Sequence, residues 1–291
     1  MYDVICAGQA VLDCITRNRE TSPFKPNVYR AESIRLSPGG DAVNESRALA
    51  SMGVKAAVVC GLGRDYAGDI VRAALERSGV HGERICDMAG DTPIANIQVA
   101  GDGSRISVNS GAARLEGFRM SPEAVRGARI VSFASIFRPP LADYGQLRAL
   151  VRAAKAEGAI VCADTKLPLY EARSLDDIAD ILPLIDYIFP NEREAEYYSG
   201  RHTLPEMAEA IAGKGVRNVI VKAGPEGCYV HSGGRGYALP AVPLERVVDT
   251  TGAGDNFVAG FIAGLLQGWA VLDCAEAGLR RAASVIGASG R

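Results

Sequence analysis

The apolar and polar positions along the 291-residue chain alternate between two kinds of segment. Short apolar runs of strand length are followed by longer stretches in which apolar residues recur every three or four positions, as on one face of a helix. This alternation predicts an α/β fold: a three-layer αβα sandwich with a mostly parallel central sheet. The predicted strands lie at residues 3–9, 55–60, 130–133, 159–163, 187–189, 219–222 and 227–231, and one of the predicted helices at 141–157.

Two amphipathic runs interrupt this alternation. Residues 94–99 and 104–108 alternate apolar and polar side chains, and Gly101-Asp102-Gly103 between them is typical of a hairpin turn. We expect a small sheet that stands off the main one. Together, residues of about 12–36 and 92–115 are predicted to form a lid over a site, or a dimer surface, and a lid would exclude water from that site.

A turn of small residues, Asp249-Thr250-Thr251-Gly252-Ala253-Gly254-Asp255, opens onto an apolar helix. The first N–H groups of a helix have no internal partner, and the helix dipole adds positive charge there, so this turn predicts a phosphate site. Asp255, in the first turn, lies within reach of whatever carries the phosphate. The arrangement favours phosphoryl transfer, although the same residues also fit an ordinary capped helix.

A second polar group is predicted near the amino end of the chain. Asp13 comes just after the first strand, where ligands of open α/β sheets bind, so it is placed to hold hydroxyl groups or else to cap a loop. Gly39 and Gly40 allow close backbone approach to a ligand, and Asp41 and Asn44 follow one helical turn apart.

Two common nucleotide motifs are excluded by their spacing. In the stretch Gly61-Leu62-Gly63-Arg64-Asp65-Tyr66-Ala67-Gly68 the third glycine comes two positions too late for the dinucleotide-binding G-x-G-x-x-G motif. The chain also contains no G-x-x-x-x-G-K-[ST] sequence, so it is not a Walker-type nucleotide binder.

Charge and composition limit the partners, the location and the kind of catalysis that the sequence allows. A net charge of −2 and a pI of about 6.0 predict no nucleic-acid partner and no anionic membrane surface. The seven scattered cysteines form no C-x-x-C pair, no signal peptide pattern is evident, and no apolar run reaches the ~18 residues of a membrane helix. We therefore expect a cytoplasmic protein. The three histidines, His81, His202 and His231, lie apart from acidic clusters, which disfavours histidine-based catalysis.

With these pieces in order, the chain resembles the ribokinase-like (PfkB) family of carbohydrate kinases from end to end. Five segments carry the resemblance: Gly39–Asn44, Gly61–Asp65 with Gly68, Asn191–Glu194, Lys222–Gly227 and Asp249–Asp255. The resemblance implies one ribokinase-like domain over residues 1–291, with a β lid that often mediates homodimers. It also implies ATP-dependent phosphorylation of a hydroxyl group on a sugar.

The matching positions imply roles for individual residues. Asp255 corresponds to the catalytic base, and Gly252, Ala253 and Gly254 correspond to the anion hole. The element from Asn191 to Glu194 organises Mg²⁺ and phosphate in the family, with Glu194 acting through water. The remaining implied contacts are Asp13, Gly39, Gly40 and Asn44 for the substrate; Asn191, Lys222, Gly224 and Gly227 for the nucleotide; and Asp249 and Thr251 for a monovalent cation such as K⁺. Asn96 and Lys166 are further candidates for substrate binding.

Some positions depart from the family pattern. Asp41-Ala42 replaces a usual Lys-Gly pair, and a carboxylate facing the acceptor would repel phosphorylated or carboxylated substrates, which favours a neutral sugar. Lys166 stands where sugar kinases often carry an arginine, so it either contacts the ligand or faces solvent. Gly278 falls near the position of an adenine-side asparagine in many relatives. Candidates for acceptor selectivity are Asn96, Gln98, Arg105, Ser107 and Arg138.

Two other functions fit the same residues. A nucleoside kinase of this fold would need apolar or aromatic walls for a base, to which Phe133, Phe137 and Tyr170 could contribute. A non-catalytic sugar- or nucleotide-binding regulator would keep the fold without turnover. Retention of Asp255 together with Gly252 and Gly254 argues against the regulator, because a binding protein has no need of the base.

Overall fold

A computed structural model describes residues 1–17, 31–100, 105–110, 115, 117–169, 171–246 and 250–287 of the chain. The turn predicted at residues 101–103 lies outside them, as do Tyr170 and Asp249. None of the helices in these described ranges is long and apolar enough to cross a membrane. All seven cysteines are free thiols, and five of them are buried, as expected for small apolar residues in a core.

An eight-stranded sheet forms the centre of the molecule. In spatial order its strands are β14-β13-β12-β11-β10-β9-β1-β4, and those from β12 to β4 are parallel, which confirms the predicted sheet. β13 and β14 extend one edge as antiparallel strands. The strands are β1 (Tyr2–Ala7), β4 (Ala56–Val59), β9 (Ala128–Ile136), β10 (Ile160–Thr165), β11 (Tyr187–Phe189), β12 (Asn218–Lys222), β13 (Cys228–Ser232) and β14 (Arg235–Leu239).

Helices cover both faces of this sheet, so the predicted αβα sandwich is confirmed. Successive side chains of a strand point to opposite faces, and two buried clusters result. One cluster packs against α3 to α5, and the other against α1, α2, α6 and α7. The helices are α1 (Asp41–Ser51), α2 (Tyr66–Arg77), α3 (Tyr144–Ala156), α4 (Glu192–Ser199), α5 (Leu204–Ala212), α6 (Ala253–Leu266) and α7 (Val271–Ile286).

The amphipathic runs form a second, four-stranded sheet with the order β3-β2-β7-β8. Its strands are β2 (Val11–Arg17), β3 (Ser33–Gly39), β7 (Ile94–Val99) and β8 (Arg105–Asn109), while β5 (Gly61–Leu62) and β6 (Cys86–Asp87) pair separately. Directly paired residues lie on the same face of a sheet, so Leu36, Asn96 and Val108 share one face. Residues such as Ala95 and Ile97 belong to the other.

Local sequence explains where the elements begin. Asp143 accepts a hydrogen bond from the backbone N–H of Gln146 at 2.8 Å, so α3 begins at Tyr144 rather than at the predicted residue 141. β3 runs over Ser33–Gly39 and pairs with the whole of β2. It tolerates Pro38 as an edge strand of its sheet.

Candidate active site

Asp255 lies in the first turn of α6, directly after a left-handed turn at Gly252, whose φ is 73°. That conformation favours glycine. The N–H groups of the first helical turn have no acceptor within the helix, although that of Ala253 donates to Thr250 O at 3.2 Å. The Asp255 side chain is buried, with 6% of its surface exposed. Asn44, one turn into α1, donates from Nδ2 to Asp255 Oδ2 at 2.8 Å. The carboxylate is therefore fixed beside a helix start that can bind an anion.

The surroundings raise the pKa values of two carboxyl groups toward neutral pH. Burial raises the pKa of Asp255 to about 7; the negative charge of Asp41 adds to the rise, whereas Lys166 and the Asn44 hydrogen bond oppose it. Burial, and then Asp41, raise the pKa of Asp13 to about 6. A group with a pKa near the working pH is well suited to accept a proton.

Beside Asp41, a cavity of about 480 Å³ separates the inner face of the second sheet from the main body. Gly40 and Asp41 line it from the start of α1, and Ser107 and Arg138 add polar groups. Much of the wall is apolar: Val11, Pro93, Ile94, Ala95, Ile97, Leu115, Pro139 and Leu169. The cavity is larger than a pentose requires.

Asn96 does not line this cavity and is exposed. Ile94 borders the cavity at the start of β7, but further along the strand Ala95 and Ile97 line the wall, so alternation places the Asn96 side chain between them on the opposite, outer face. Gln98 shares the outer face by the same alternation. The sequence pattern predicts which strand residues share a face, but it does not say which face covers the site.

Asp13 and Asn44 line a different cavity, of about 460 Å³, together with Thr251 and Gly252. Gly39 makes the position of Asp13 possible, because a side chain at Gly39 would collide with the Asp13 carboxylate. The predicted substrate residues are thus divided between two neighbouring cavities beneath the second sheet, with Gly40 in the first and Asp13 in the other.

Lys166 points toward the site rather than into solvent. Its Nζ lies 3.5 Å from Asp41 Oδ2, and its side chain is 36% exposed. The negative charge of Asp41, ahead of that of Asp164 and Asp255, holds the pKa of Lys166 above its ordinary value. Ser135 also donates a hydrogen bond to Asp41. Because Lys166 offsets the charge of Asp41, the expected repulsion of anionic acceptors is weakened.

Asn191 and Glu194 form a capping box at the start of α4. The Asn191 side chain accepts from the N–H of Glu194 at 3.0 Å, and Glu194 accepts from the N–H of Asn191 at 2.9 Å. Asn191 Nδ2 and Thr165 Oγ1 donate two more bonds to the Glu194 carboxylate, at 2.7 and 2.9 Å. Burial, followed by the charge of Asp164, raises the pKa of Glu194.

Lys222, at the end of β12, is bound to Asp164, with its Nζ 2.7 and 2.8 Å from the two carboxylate oxygens. A Cβ placed on Gly254 would lie 3.5 Å from that Nζ, so Lys222 is close to the start of α6. Gly227 needs its positive φ of 98°, and any side chain there would collide with Leu239 O. The ion pair with Asp164 therefore positions the Lys222 cation beside the predicted anion hole.

A third cavity, of about 500 Å³, extends from Lys222, Gly224 and Gly254. Its walls are mostly apolar, as the faces of a nucleotide base require. They include Val242, Leu244, Phe257, Leu279, Ala282 and Ala283. Gly278 is not among them: a Cβ there would lie 2.8 Å from Phe257 O, so Gly278 packs against α6 and its successor Leu279 lines the cavity.

The metal sites are constrained by the available ligands. Across residues 1–17, 31–100, 105–110, 115, 117–169, 171–246 and 250–287, no three His, Cys, Asp or Glu side chains are grouped to hold a metal ion. A Mg²⁺ ion needs few protein ligands when substrate phosphates and water supply most of its coordination. Of the predicted monovalent-cation pair, Thr251 lines the cavity of Asp13 and Asn44, and Asp249 lies outside the described residues.

Two residues for which the sequence predicted no role, Asp164 and Thr165, belong to this network. Asp164 holds Lys222, and Thr165 holds Glu194. Both end β10, beside the parallel strand β11 that leads to Asn191. The carboxyl ends of parallel strands meet at one edge of a sheet. The two polar residues that end the otherwise apolar β10 are therefore the sequence feature that could have indicated their place in the site.

Comparisons with known proteins agree along the whole chain. The family model described as pfkB family carbohydrate kinase matches residues 1–291. A cytidine kinase of Thermococcus kodakarensis is 29% identical over 255 residues, covering 86% of this chain and 87% of the relative. An ATP-dependent ribose-1-phosphate kinase of Halopiger xanaduensis is 32% identical over 269 residues, covering 90% of this chain and 84% of the relative.

A solved structure shows the same architecture. Arabidopsis thaliana ribokinase, complexed with ribose and ATP, superimposes with a TM-score of 0.84 and is 25% identical. The match covers 99% of this chain and 94% of that structure, so no large part of either fold is left over.

Proposed function

The chain belongs to the pfkB family of carbohydrate kinases, and on that premise we propose that it transfers the terminal phosphoryl group of ATP to a hydroxyl group of a small sugar. The observation that carries the proposal is the position of Asp255. A buried carboxylate, held by Asn44, lies in the first turn of a helix whose start can bind phosphate oxygens. An acceptor hydroxyl at Asp255 would face that helix start.

Phosphoryl transfer requires of a protein mainly that it positions the reactants and stabilises charge, and different groups of this site have these roles. Asp255 accepts the proton of the attacking hydroxyl group at its carboxylate. The backbone N–H groups of Gly252 and Gly254 stabilise the negative charge that develops on the transferred group, whereas that of Ala253 donates to Thr250 O at 3.2 Å. Lys222, oriented by Asp164, adds a positive charge on the nucleotide side.

ATP and Mg²⁺ complete the proposal. The apolar cavity beside Lys222 suits the base, and Gly224 and Gly227 border it. Mg²⁺, bound with the phosphates, would supply charge neutralisation, and Glu194 would hold it through water. Asn191 fixes Glu194 in that position. K⁺ at Asp249 and Thr251 stays a prediction.

A nucleoside acceptor is the second candidate, and one observation favours it. The cavity at Asp41 measures about 480 Å³ and is walled by apolar residues such as Ile97 and Leu115, which suit a base next to a ribose ring. The relatives span these classes, since one is named a cytidine kinase and another acts on ribose 1-phosphate.

The test is ADP release in the presence of Mg²⁺ and ATP with matched acceptors: ribose, fructose, 2-dehydro-3-deoxygluconate, cytidine and adenosine. Turnover with a free sugar supports the sugar kinase, and turnover only with nucleosides supports the second candidate. Ligand binding without turnover of any acceptor would favour the non-catalytic regulator and contradict both.

The pH dependence of kcat/KM for the acceptor follows from the raised pKa values. Asp255 must be deprotonated to act as base, so activity should fall as pH drops through about 7, and further through about 6 where Asp13 gains its proton. Initial rates at saturating MgATP between pH 5 and pH 9 measure this acid limb. A rate independent of pH down to 5 would contradict the assignment.

Asp41→Asn provides the matched variant for this profile. The charge of Asp41 raises the pKa of both Asp13 and Asp255. Its removal should therefore move the acid limb to lower pH, while Asp69→Asn, on the exposed surface of α2, should leave the limb unchanged. An unmoved limb in Asp41→Asn would exclude the carboxyl cluster as its origin.

We further propose that the second sheet acts as a lid and as a homodimer surface. Its inner face covers the two cavities beside Asp13 and Asp41. Its outer face exposes four apolar side chains, which would be buried by a second copy. They are Ile34, Leu36, Ile106 and Val108. Sedimentation equilibrium tests this assignment, and a monomer at micromolar concentration would contradict it.

A further inference from the structure

The cavity of about 460 Å³ that Asp13 and Asn44 line also contains two arginines, Arg47 and Arg281. We call it the arginine cavity. Arg47 lies on α1, three residues after Asn44 and therefore on the same side of the helix. Arg281 reaches in from α7. The proposed reaction leaves both arginines without a role.

Both guanidinium groups are bonded only to neutral partners. Arg47 Nε donates to Ser78 Oγ at 3.0 Å. Arg281 Nε donates to Asn256 Oδ1 at 3.0 Å, and its second nitrogen donates to Ser51 Oγ at 2.8 Å. Within the part of the chain that the structure describes, neither arginine forms an ion pair with a carboxylate.

Other arginines of the molecule have carboxylate partners. Arg64 and Arg152, for example, are exposed and each pair with an aspartate. Burial lowers the pKa of Arg47 and of Arg281, and the neighbouring charge of Arg77 lowers that of Arg47 further. Two partly buried cations without an ion-pair partner favour the binding of an anion in the cavity.

The geometry points to a phosphate group as that anion: we propose that the arginine cavity binds a phosphate dianion between Arg47 and Arg281. A guanidinium carries five N–H donors in a fork that matches phosphate oxygens, and most donors here are unused. The hydroxyl groups of Ser51 and Ser78 donate to the backbone oxygens of Ala48 and Ala74, so they orient the two arginines and leave the remaining guanidinium N–H groups as the donors to the anion. Asp13 is the acidic residue in the lining, and two arginines outnumber it.

The phosphate can come from two sources that share this chemistry. The cavity is much larger than a phosphate ion, and Asp13 and Asn44 in the same lining can bind hydroxyl groups. A phosphate monoester of a sugar would therefore use the whole cavity, whereas inorganic phosphate would use only its arginines. The inference does not rest on the proposed kinase reaction, since binding is measured without turnover.

Calorimetric titration tests the site with three probes: inorganic phosphate, ribose 5-phosphate and uncharged ribose. Each titration is repeated with a nonhydrolysable ATP analogue and Mg²⁺ present, because the helix start at Gly252 also attracts phosphate. We expect Arg47→Gln and Arg281→Gln each to weaken phosphate binding by roughly 10–100-fold, the loss of charge-assisted hydrogen bonds. Arg47→Lys, which keeps the charge but not the fork, should weaken it less.

Arg77→Gln is the matched control, since it removes the same charge from the exposed surface next to Arg47. It should bind phosphate like the unaltered protein. Binding of ribose 5-phosphate at least about tenfold tighter than that of phosphate identifies a monoester site, and equal binding identifies a free-phosphate site. Three results would overturn the inference: no binding at millimolar phosphate, equal weakening by Arg77→Gln, or binding abolished by the ATP analogue. Circular dichroism verifies that each variant is folded.

Discussion

Asp255→Asn should lower kcat by roughly 10²–10⁴-fold, the usual contribution of a positioned general base. Asparagine has the shape of the aspartate and can still accept the Asn44 hydrogen bond, but it cannot take up the acceptor proton. The fold should be retained, because burial already favours the uncharged form of this side chain. Steady-state rates, calorimetric ATP affinity and the thermal midpoint together measure the prediction.

The control for Asp255→Asn is Asp69→Asn, which makes the same change in the first turn of α2. It should leave kcat unchanged. Turnover near normal in Asp255→Asn would end the proposed mechanism. Weak turnover accompanied by lost ATP binding would instead point to a disturbed helix start at Gly252.

Lys222→Met should lower the free energy of unfolding by about 3–5 kcal/mol, the usual cost of removing one partner of a buried ion pair. Asp164 is only 4% exposed and Lys222 only 13%, so water cannot take the place of the lost ammonium group. The variant should also raise KM for MgATP, because the cation beside Gly254 is gone. Urea unfolding followed by circular dichroism gives the free energy.

Two comparisons isolate the buried charge. Lys214 pairs with Asp176 at the surface at 2.6 Å, and Lys214→Met should cost at most about 1 kcal/mol. The double variant Asp164→Asn with Lys222→Met should regain much of the stability lost in Lys222→Met alone, because no unpaired carboxylate remains. If Lys222→Met costs no more than Lys214→Met, the pair does not stabilise the fold.

The layered fold was predictable because each strand and helix carries its own pattern. The four parallel strands from β9 to β12 are buried on both faces, so they read as short apolar runs. The start of α4 also has a local signal, because Asn191 and Glu194 have the spacing of a capping box. These signals are local, and they do not depend on what packs nearby.

The finer geometry of the site depends on contacts between distant segments. The pairing of Lys166 with Asp41 and of Lys222 with Asp164 joins elements that no local pattern connects. The outward position of Asn96 depends on which face of the second sheet meets the main body. Residue types along the sequence therefore predict which chemistry the site can perform, but they do not predict which side chains contact each other there.

The hydrogen bond between Asn44 and Asp255 joins positions 211 residues apart in the chain. Contacts of such high sequence separation repay their loop-closure entropy only late in folding. During folding, the parallel sheet can form before α6 packs against α1. At that stage the core is present, but Asp255 is not yet held in position by Asn44. Catalytic competence is thus a more stringent report of complete folding than helix content, because it requires the two ends of the chain to have met.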